Sequence, residues 1–131
     1  MTAIDIIQET VDFYSEDISR RAYNSDEGGC EYYIDGRSCG VGKCMTRPKE
    51  FNKRFPLVGD DSTAIEDVSK KIRSLDSFLK PEYRGHSIKF WKDIQTLHDL
   101  EQYWIGYNAE RLRNDKVREL KEKWGEKIKQ N

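Results

Sequence analysis

Residues 28–45 read Gly-Gly-Cys-Glu-Tyr-Tyr-Ile-Asp-Gly-Arg-Ser-Cys-Gly-Val-Gly-Lys-Cys-Met, and they hold all three cysteines of the chain. Two short runs of strand-forming residues flank the pair Asp35-Gly36. Both residues of that pair tolerate the positive φ that a two-residue type I′ turn requires. The pattern therefore predicts an antiparallel β-hairpin at about residues 30–42, with strands at 30–34 and 37–42.

Helical patterns fill the rest of the chain. A first helix is expected at about residues 3–17, since Thr2 and Asp5 have capping-box spacing and Ile4, Ile7, Val11 and Tyr14 recur at helical intervals. Further helices are expected at about 46–55, 63–79, 87–106 and 109–129. The predicted fold class is α+β: one mainly helical domain over residues 1–131, with about four main helices around the hairpin.

Length and composition limit the classes of protein that fit. A chain of 131 residues corresponds to about one domain. Charged residues make up 36%, but 11% are aromatic and the apolar residues are periodic, which argues against disorder. No apolar run approaches the roughly 20 residues that span a bilayer, and the N-terminus lacks the pattern of a signal peptide. We therefore expect a cytoplasmic protein that does not act at a membrane.

Charge is segregated along the chain although the net charge is only −1. Residues 1–36 carry two basic and nine acidic side chains, whereas residues 37–54 carry six basic and one acidic. Such a basic block can receive an anion such as a phosphate, or it can face the acidic N-terminal third of the same protein or of a neighbouring subunit. Without a net basic excess, duplex nucleic acid is not expected as a partner.

The hairpin and the basic block supply the candidate ligand-binding residues, Tyr32, Tyr33, Arg37, Lys43 and Arg47. Aromatic faces stack a nucleobase and cations bind phosphate, so this set suits a small nucleotide. The nearby glycines also let a ligand or another backbone approach closely. We predict nucleotide binding without any cofactor.

The three cysteines raise the alternative of a zinc site formed by Cys30, Cys39 and Cys44 with His98 or His86. Gaps of eight and four residues, with the last two cysteines near the end of a strand and beyond it, do not match the paired cysteines of most structural zinc sites. We predict no metal. The cysteines are instead expected as reduced, buried thiols, with Cys30 and Cys39 facing each other across the hairpin.

Catalysis is not predicted. The available nucleophile–base pairing is Cys39 or Cys44 with His98, and no flanking signature supports it. Asp99 follows His98 on a helix, where successive side chains diverge by about 100°, so the dipeptide is not expected to act as a dyad. His98 is expected to be a hydrogen-bonded core residue.

Two segments, Cys30-Glu-Tyr-Tyr-Ile-Asp-Gly-Arg-Ser-Cys-Gly-Val-Gly42 and Phe90-Trp-Lys-Asp-Ile-Gln-Thr-Leu-His-Asp99, resemble a group of small phage and prophage proteins. Members combine a Cys-x-Tyr, a glycine-containing turn, a Cys-Ala-Val-Gly-like strand and a later Leu-Gln-x-x-His-Asp helix. The likeness covers about residues 30–100. This chain departs from it at Gly40, where alanine is usual, and at Lys43-Cys44, where several relatives place Cys or His directly after the glycine.

The resemblance implies a viral or prophage gene, and small phage accessory proteins often bind or block host components. It leads to the hypothesis of a counter-defence protein that sequesters a small nucleotide signal of host immunity in the host cytoplasm, without catalysis. The alternative is an inhibitor, zinc-stabilised or not, that blocks a host protein through its acidic N-terminal face or its C-terminal helix.

The last predicted helix, at about 109–129, carries an apolar stripe of Leu112, Val117, Leu120, Trp124 and Ile128. The stripe is longer than a small core is expected to cover. We therefore expect a homo-oligomer in which Trp124 anchors the interface.

Overall fold

The computed structural model describes residues 1–21, 23–24, 29–30, 33–34, 36–54 and 75–125. It is mainly helical, as predicted. Four α-helices lie in this part of the chain: α1 at Ala3–Glu16, α2 at Pro48–Arg54, α3 at Ile88–Asp99 and α4 at Ala109–Gly125. Short 3-10 helices are found at Ile18–Arg20, Gly42–Cys44, Asp76–Phe78, Pro81–Tyr83 and Glu101–Tyr103. Among the described helices, none is long and apolar enough to cross a membrane.

The extended structure between α1 and α2 consists of two antiparallel pairs of two-residue strands. β1 (Tyr23–Asn24) pairs with β2 (Gly29–Cys30), and β3 (Tyr33–Ile34) pairs with β4 (Arg37–Ser38). Gly36 has a φ of 80° between the last two strands. Within the described residues, the longer hairpin predicted over residues 30–42 is not found, because the backbone turns at residues 40–41 and enters a 3-10 helix. Cys30 accordingly pairs with Tyr23, so the prediction that Cys30 faces Cys39 was wrong.

Helix α1 begins where its capping box predicts. The backbone N–H of Asp5 donates to Thr2 Oγ1 at 3.1 Å, and the backbone N–H of Thr2 donates to the Asp5 carboxylate at 3.1 Å. The buried face comprises Ala3, Ile6, Ile7, Thr10, Val11 and Tyr14. Ile4, which was expected on this face, is 40% exposed, and Ile6, which was not expected there, is buried.

The middle of the chain is described in part. Helix α2 covers most of the range expected for a short helix at 46–55, and its residue Phe51 is buried. Residues 63–74 of the helix predicted at 63–79 lie outside the described residues. Its last residues form the 3-10 helix Asp76–Phe78, and Leu79 then bridges to Met45 in an antiparallel contact.

Helix α3 starts at its Ser87 cap, whose hydroxyl accepts the N–H of Phe90 at 3.2 Å, but it stops before the predicted end at Gly106. The guanidinium of Arg21 explains this end. Its Nε donates to the carbonyl of His98 at 3.0 Å and its Nη2 to the carbonyl of Asp99 at 3.2 Å. Carbonyls of a last helical turn need partners from outside the helix, and here a remote arginine supplies them.

The apolar stripe of α4 packs within the molecule. Leu120 is buried, and Leu112, Val117 and Trp124 lie against the core. The indole Nε1 of Trp124 donates to Asp93 Oδ2 at 2.9 Å, and its ring centroid lies 5.4 Å from that of Phe90. Contacts within the molecule therefore cover these four residues of the stripe at least in part. Ile128, the fifth, lies outside the described residues. The homo-oligomer stays a prediction.

Gly40 joins two distant segments in the core. A Cβ at this position would lie 3.0 Å from the Ile94 carbonyl oxygen, 3.1 Å from Ile94 Cγ2 and 3.2 Å from His98 Cβ. Such distances are too short for ordinary packing, so the turn approaches α3 closely because residue 40 has no side chain.

Candidate functional site

A basic cleft of about 980 Å³ opens between α1 and the segment that leads from β4 into α2. Of the described residues, four that line it are basic: Arg20, Arg37, Lys43 and Lys80. Glu9 is the one acidic residue among its described lining residues. A site for a drug-sized molecule occupies about 300–1,000 Å³, so this cleft, called the basic cleft below, has room for a small organic anion.

Lys43, Glu9 and Tyr83 form a hydrogen-bonded cluster in the wall of the basic cleft. Lys43 Nζ donates to Glu9 Oε1 at 2.9 Å, and the Tyr83 hydroxyl donates to the same oxygen. Lys43 Nζ also lies 5.5 Å from the centroid of the Tyr83 ring. The lysine side chain is only 9% exposed, so its charge faces these partners more than bulk water.

The cluster fixes the charge of Glu9. Partial burial raises the pKa of this carboxyl, but the hydrogen bonds from Tyr83 and Lys43 outweigh burial and lower the pKa below its ordinary value. The pKa of the Tyr83 hydroxyl is raised, by burial and by its hydrogen bond to Glu9. At neutral pH, Glu9 is therefore an ionised group that accepts two hydrogen bonds inside a basic cleft.

The other cations of the basic cleft differ in their pairing. Arg20 donates to the Glu16 carboxylate at 3.0 Å and to the Phe13 carbonyl at 3.0 Å. Arg37 and Lys80 form no ion pair within the described part of the chain. These last two residues leave positive charge available to a ligand.

A second cleft of about 450 Å³ lies next to the basic cleft, and both clefts share the residue Thr46. Its lining residues are Thr46, Arg47, Glu50, Phe51, Arg54, Ser77 and Phe78. The structure thus brings the predicted residues Arg37 and Lys43 into the basic cleft and places Arg47 in the second cleft. Tyr32 lies outside the described residues, as does the side chain of Tyr33, although the backbone of Tyr33 forms part of β3.

Glu9, Tyr83 and Lys80 are among the residues of the basic cleft that were not predicted from the sequence. Glu9 lies on a helix where solvent-facing carboxylates are common, and no sequence spacing relates it to Tyr83, which is 74 positions away. Lys80 and Tyr83 lie on either side of Pro81 at a 3-10 helix, a pattern that predicts a turn and nothing more specific. Only long-range packing reveals their association with Lys43.

His98 and Asp99 form a buried polar pair away from the basic cleft lining. His98 Nδ1 lies 2.7 Å from Asp99 Oδ1, and the side chains are 0% and 2% exposed. The expectation that the two side chains diverge was wrong, because they contact each other, and Gln95 Nε2 also donates to Asp99 at 3.0 Å. Burial lowers the pKa of His98 despite the carboxylate, so the ring is neutral and donates from Nδ1. This is the predicted core histidine.

Cys39 and Cys44 are fully buried thiols, as predicted. The Gly42 N–H donates to Cys39 Sγ at 3.1 Å, and Cys44 Sγ contacts the Gly40 carbonyl at 3.6 Å. Burial raises the pKa of Cys44 to about 11, although nearby Lys43 opposes the rise. Both residues are therefore protonated at neutral pH and poorly suited to nucleophilic attack.

The structure describes the side chains of only some of the predicted zinc ligands. Within the described residues, no group of three or more His, Cys, Asp or Glu side chains is arranged to hold a metal ion. The side chain of Cys30, the remaining cysteine of the set, lies outside those residues. The expected absence of metal stays a prediction.

Comparison of the chain with protein-family models, with curated proteins and with solved structures found no match.

Proposed function

We propose that the protein binds a small nucleotide-type anion in the basic cleft and does not transform it. The observation that carries the proposal is the convergence of Arg37 and Lys80 on one cleft, where neither forms an ion pair within the described part of the chain. Cations that form no direct ion pair in a concave site attract anions, and hydrogen bonds between such cations and phosphate are among the strong ones.

Aromatic residues in the same cleft support a ligand with a planar ring. Phe13 is 38% exposed and lines the basic cleft together with Tyr83. Stacking of a base on an aromatic face contributes about 1–3 kcal/mol and tolerates any base. Phosphate at the cations and a base at the aromatic wall are the two contacts that a nucleotide needs.

Turnover of the ligand is not expected, for a structural reason. No cysteine or histidine is among the described lining residues of the basic cleft. The thiol of Cys44 and the imidazole of His98, both fully buried, lie behind the surface that a ligand reaches. The ligand is therefore expected to leave unchanged.

The sequence resemblance to phage proteins supplies a biological setting for such binding. In that setting the ligand is a small nucleotide signal of host immunity, and the effect of the protein in the host cytoplasm is to lower the free concentration of this signal.

Isothermal titration with a panel of mononucleotides and pyrophosphate tests the proposal. We expect saturable binding at one ligand per chain, weakened roughly tenfold by Arg37→Gln or Lys80→Gln, because each removes a charge-assisted contact. Lys49→Gln is the matched control, since this exposed α2 lysine lines neither of the two clefts. Mass spectrometry should recover the ligand intact. No binding by any panel member, or equal effects of all three variants, contradicts the proposal.

A protein partner is the second candidate, and the exposed face of α1 favours it. A groove of about 530 Å³ on this face is lined by acidic residues, including Asp5, Asp12 and Glu16, beside the exposed Met1 and Phe13. Acidic side chains around apolar ones suit a host protein with a basic surface. If Asp12→Lys abolishes capture of such a protein while the nucleotide panel shows no binding, inhibition of a host protein replaces ligand sequestration.

A further inference from the structure

The basic cleft and the second cleft lie on either side of a segment in which residues 44–46 pair with residues 78–80. The Thr46 N–H donates to the Phe78 carbonyl at 3.0 Å, and the Lys80 N–H donates to the Cys44 carbonyl at 2.9 Å. Met45 and Leu79 form an antiparallel bridge between these two bonds. Lys80 lines the basic cleft and Phe78 lines the second cleft, so the paired segment separates them while Thr46 belongs to both.

The second cleft repeats the chemistry of the basic cleft. It is lined by the cations Arg47 and Arg54, with Glu50 as the acidic residue among its described lining residues. Phe51 and Phe78 provide its aromatic wall, with ring centroids 5.1 Å apart, and the Arg54 guanidinium lies 5.9 Å from the Phe78 centroid. Each cleft therefore offers positive charge next to an aromatic surface.

The two volumes indicate the size of ligand that this arrangement fits. The basic cleft measures about 980 Å³ and the second cleft about 450 Å³, and both volumes lie within the range of a site for a drug-sized molecule. A mononucleotide has one phosphate-bearing end and one base, so it can satisfy one cleft. Two phosphate groups and two bases are needed to use both.

We propose that the two clefts act as one site for a dinucleotide, with one nucleotide unit in each cleft and the linking backbone passing over Thr46. This inference rests on the proposed anion binding in the basic cleft and names the ligand class of that same site. Joining two weak contacts in one ligand makes the second contact intramolecular, which raises affinity without any change in either cleft.

Titration of matched pairs of ligands tests the inference. The probes are the four linear homodinucleotides with a 5′-phosphate, each compared with its own mononucleotide. We expect at least tenfold tighter binding of one or more dinucleotides. Arg47→Gln and Arg54→Gln should reduce that advantage by about tenfold. Lys80→Gln should weaken both ligands, and Lys49→Gln should weaken neither. Both arginines lie at exposed positions, and an unchanged melting temperature verifies the fold of each variant.

The outcomes separate the two proposals. If mononucleotides bind in a Lys80-dependent manner but no dinucleotide binds more tightly, the dinucleotide inference is overturned and the proposed function stands. The dinucleotide inference is likewise overturned if neither Arg47→Gln nor Arg54→Gln lowers the dinucleotide advantage. If no mononucleotide and no dinucleotide binds, both proposals fall together.

Discussion

Lys43 Nζ lies 2.9 Å from Glu9 Oε1, so the most buried cation of the basic cleft is already paired with a carboxylate of the protein itself. Glu9 thereby fills part of the space that an incoming anion would use and neutralises part of the positive charge that would attract it. An anionic ligand must either share Lys43 with Glu9 or rely on the other cations, and in both cases the carboxylate repels it.

Replacing Glu9 by Gln is predicted to strengthen anion binding. The amide oxygen keeps an acceptor for Lys43 and Tyr83 but removes the negative charge, and an increase in affinity of about three- to tenfold is expected. Asp12→Asn is the matched control, because this residue also lies on α1 but does not line the basic cleft, and within the described residues its carboxylate accepts from Gln8 and from no cation of the cleft. The measurement is titration with pyrophosphate at low and high salt. Equal affinity of the Glu9 and Asp12 variants would argue that the anion does not approach Glu9.

Replacing Gly40 by Ala is predicted to destabilise the protein by about 1–3 kcal/mol, because the new methyl group would press on the backbone of α3. Gly125→Ala provides the contrast. There the nearest atom is the end of the flexible Ile4 side chain, and alanine favours a helix, so little loss or a small gain is expected. Urea unfolding of both variants checks the prediction. A Gly40→Ala protein as stable as the wild type would show that the turn can move away from α3.

The free energy of unfolding is predicted to decrease as the pH falls below about 6.5. Burial lowers the pKa of His98 in the folded protein, whereas in the unfolded chain it titrates near its ordinary value of 6.5. The unfolded state then binds the extra proton, so this stability is complete above pH 6.5 and is lost below it.

Urea unfolding at about pH 7.5 and about pH 5.5 measures this dependence. His98→Asn should flatten the change between the two values, since the Asn amide can replace the Nδ1 donor without titrating. His86→Asn is the matched control for the loss of the other histidine of the chain. If the free energy of unfolding changes equally with pH in all three proteins, the pH dependence arises from groups other than the histidines.

Trp124→Ala is predicted to lower the free energy of unfolding by about 2 kcal/mol, since the ring packs on Phe90 and the side chain is partly buried. Trp124→Phe should recover most of the packing but not the hydrogen bond to Asp93. Melting temperatures are measured at several protein concentrations, with light scattering in parallel. A melting temperature that rises with concentration in the wild type and not in Trp124→Ala would assign this residue to an interface between copies.

Cys39 and Cys44 are predicted to resist iodoacetamide at about pH 8 in the native protein. Both are fully buried, and burial raises the pKa of Cys44 to about 11, so little thiolate is present. Peptide mass spectrometry after labelling with and without denaturant provides the measurement. Fast labelling of either residue without denaturant would mean that the turn around Gly40 opens readily.

The features that the sequence predicted correctly depend on neighbouring residues. The capping box of Thr2 and Asp5 and the Ser87 cap are short-range patterns, and they locate the starts of α1 and α3. Arg37 and Lys43 of the basic block also line one cleft, because cations close in sequence need little tertiary structure to stay close, and their binding of a ligand stays a prediction.

The features that were missed depend on residues far apart in the chain. The end of α3 at Asp99 is set by Arg21, which lies 78 positions earlier, and no local pattern at residues 100–106 predicts this end. The His98–Asp99 pair joins neighbours in the chain, but distant residues such as Tyr14 cover it, and burial favours an internal hydrogen bond over divergent side chains. The second cleft exists because residues 44–46 pair with residues 78–80, a register that neither segment encodes alone.

The close approach of Gly40 to Ile94 and His98 also constrains how this protein can diverge during evolution. A side chain larger than hydrogen at position 40 needs space that only a smaller residue at 94 or a shifted α3 can provide. The two positions are therefore expected to change together among homologues, and a descendant that acquires a side chain at position 40 alone would first pass through a less stable intermediate.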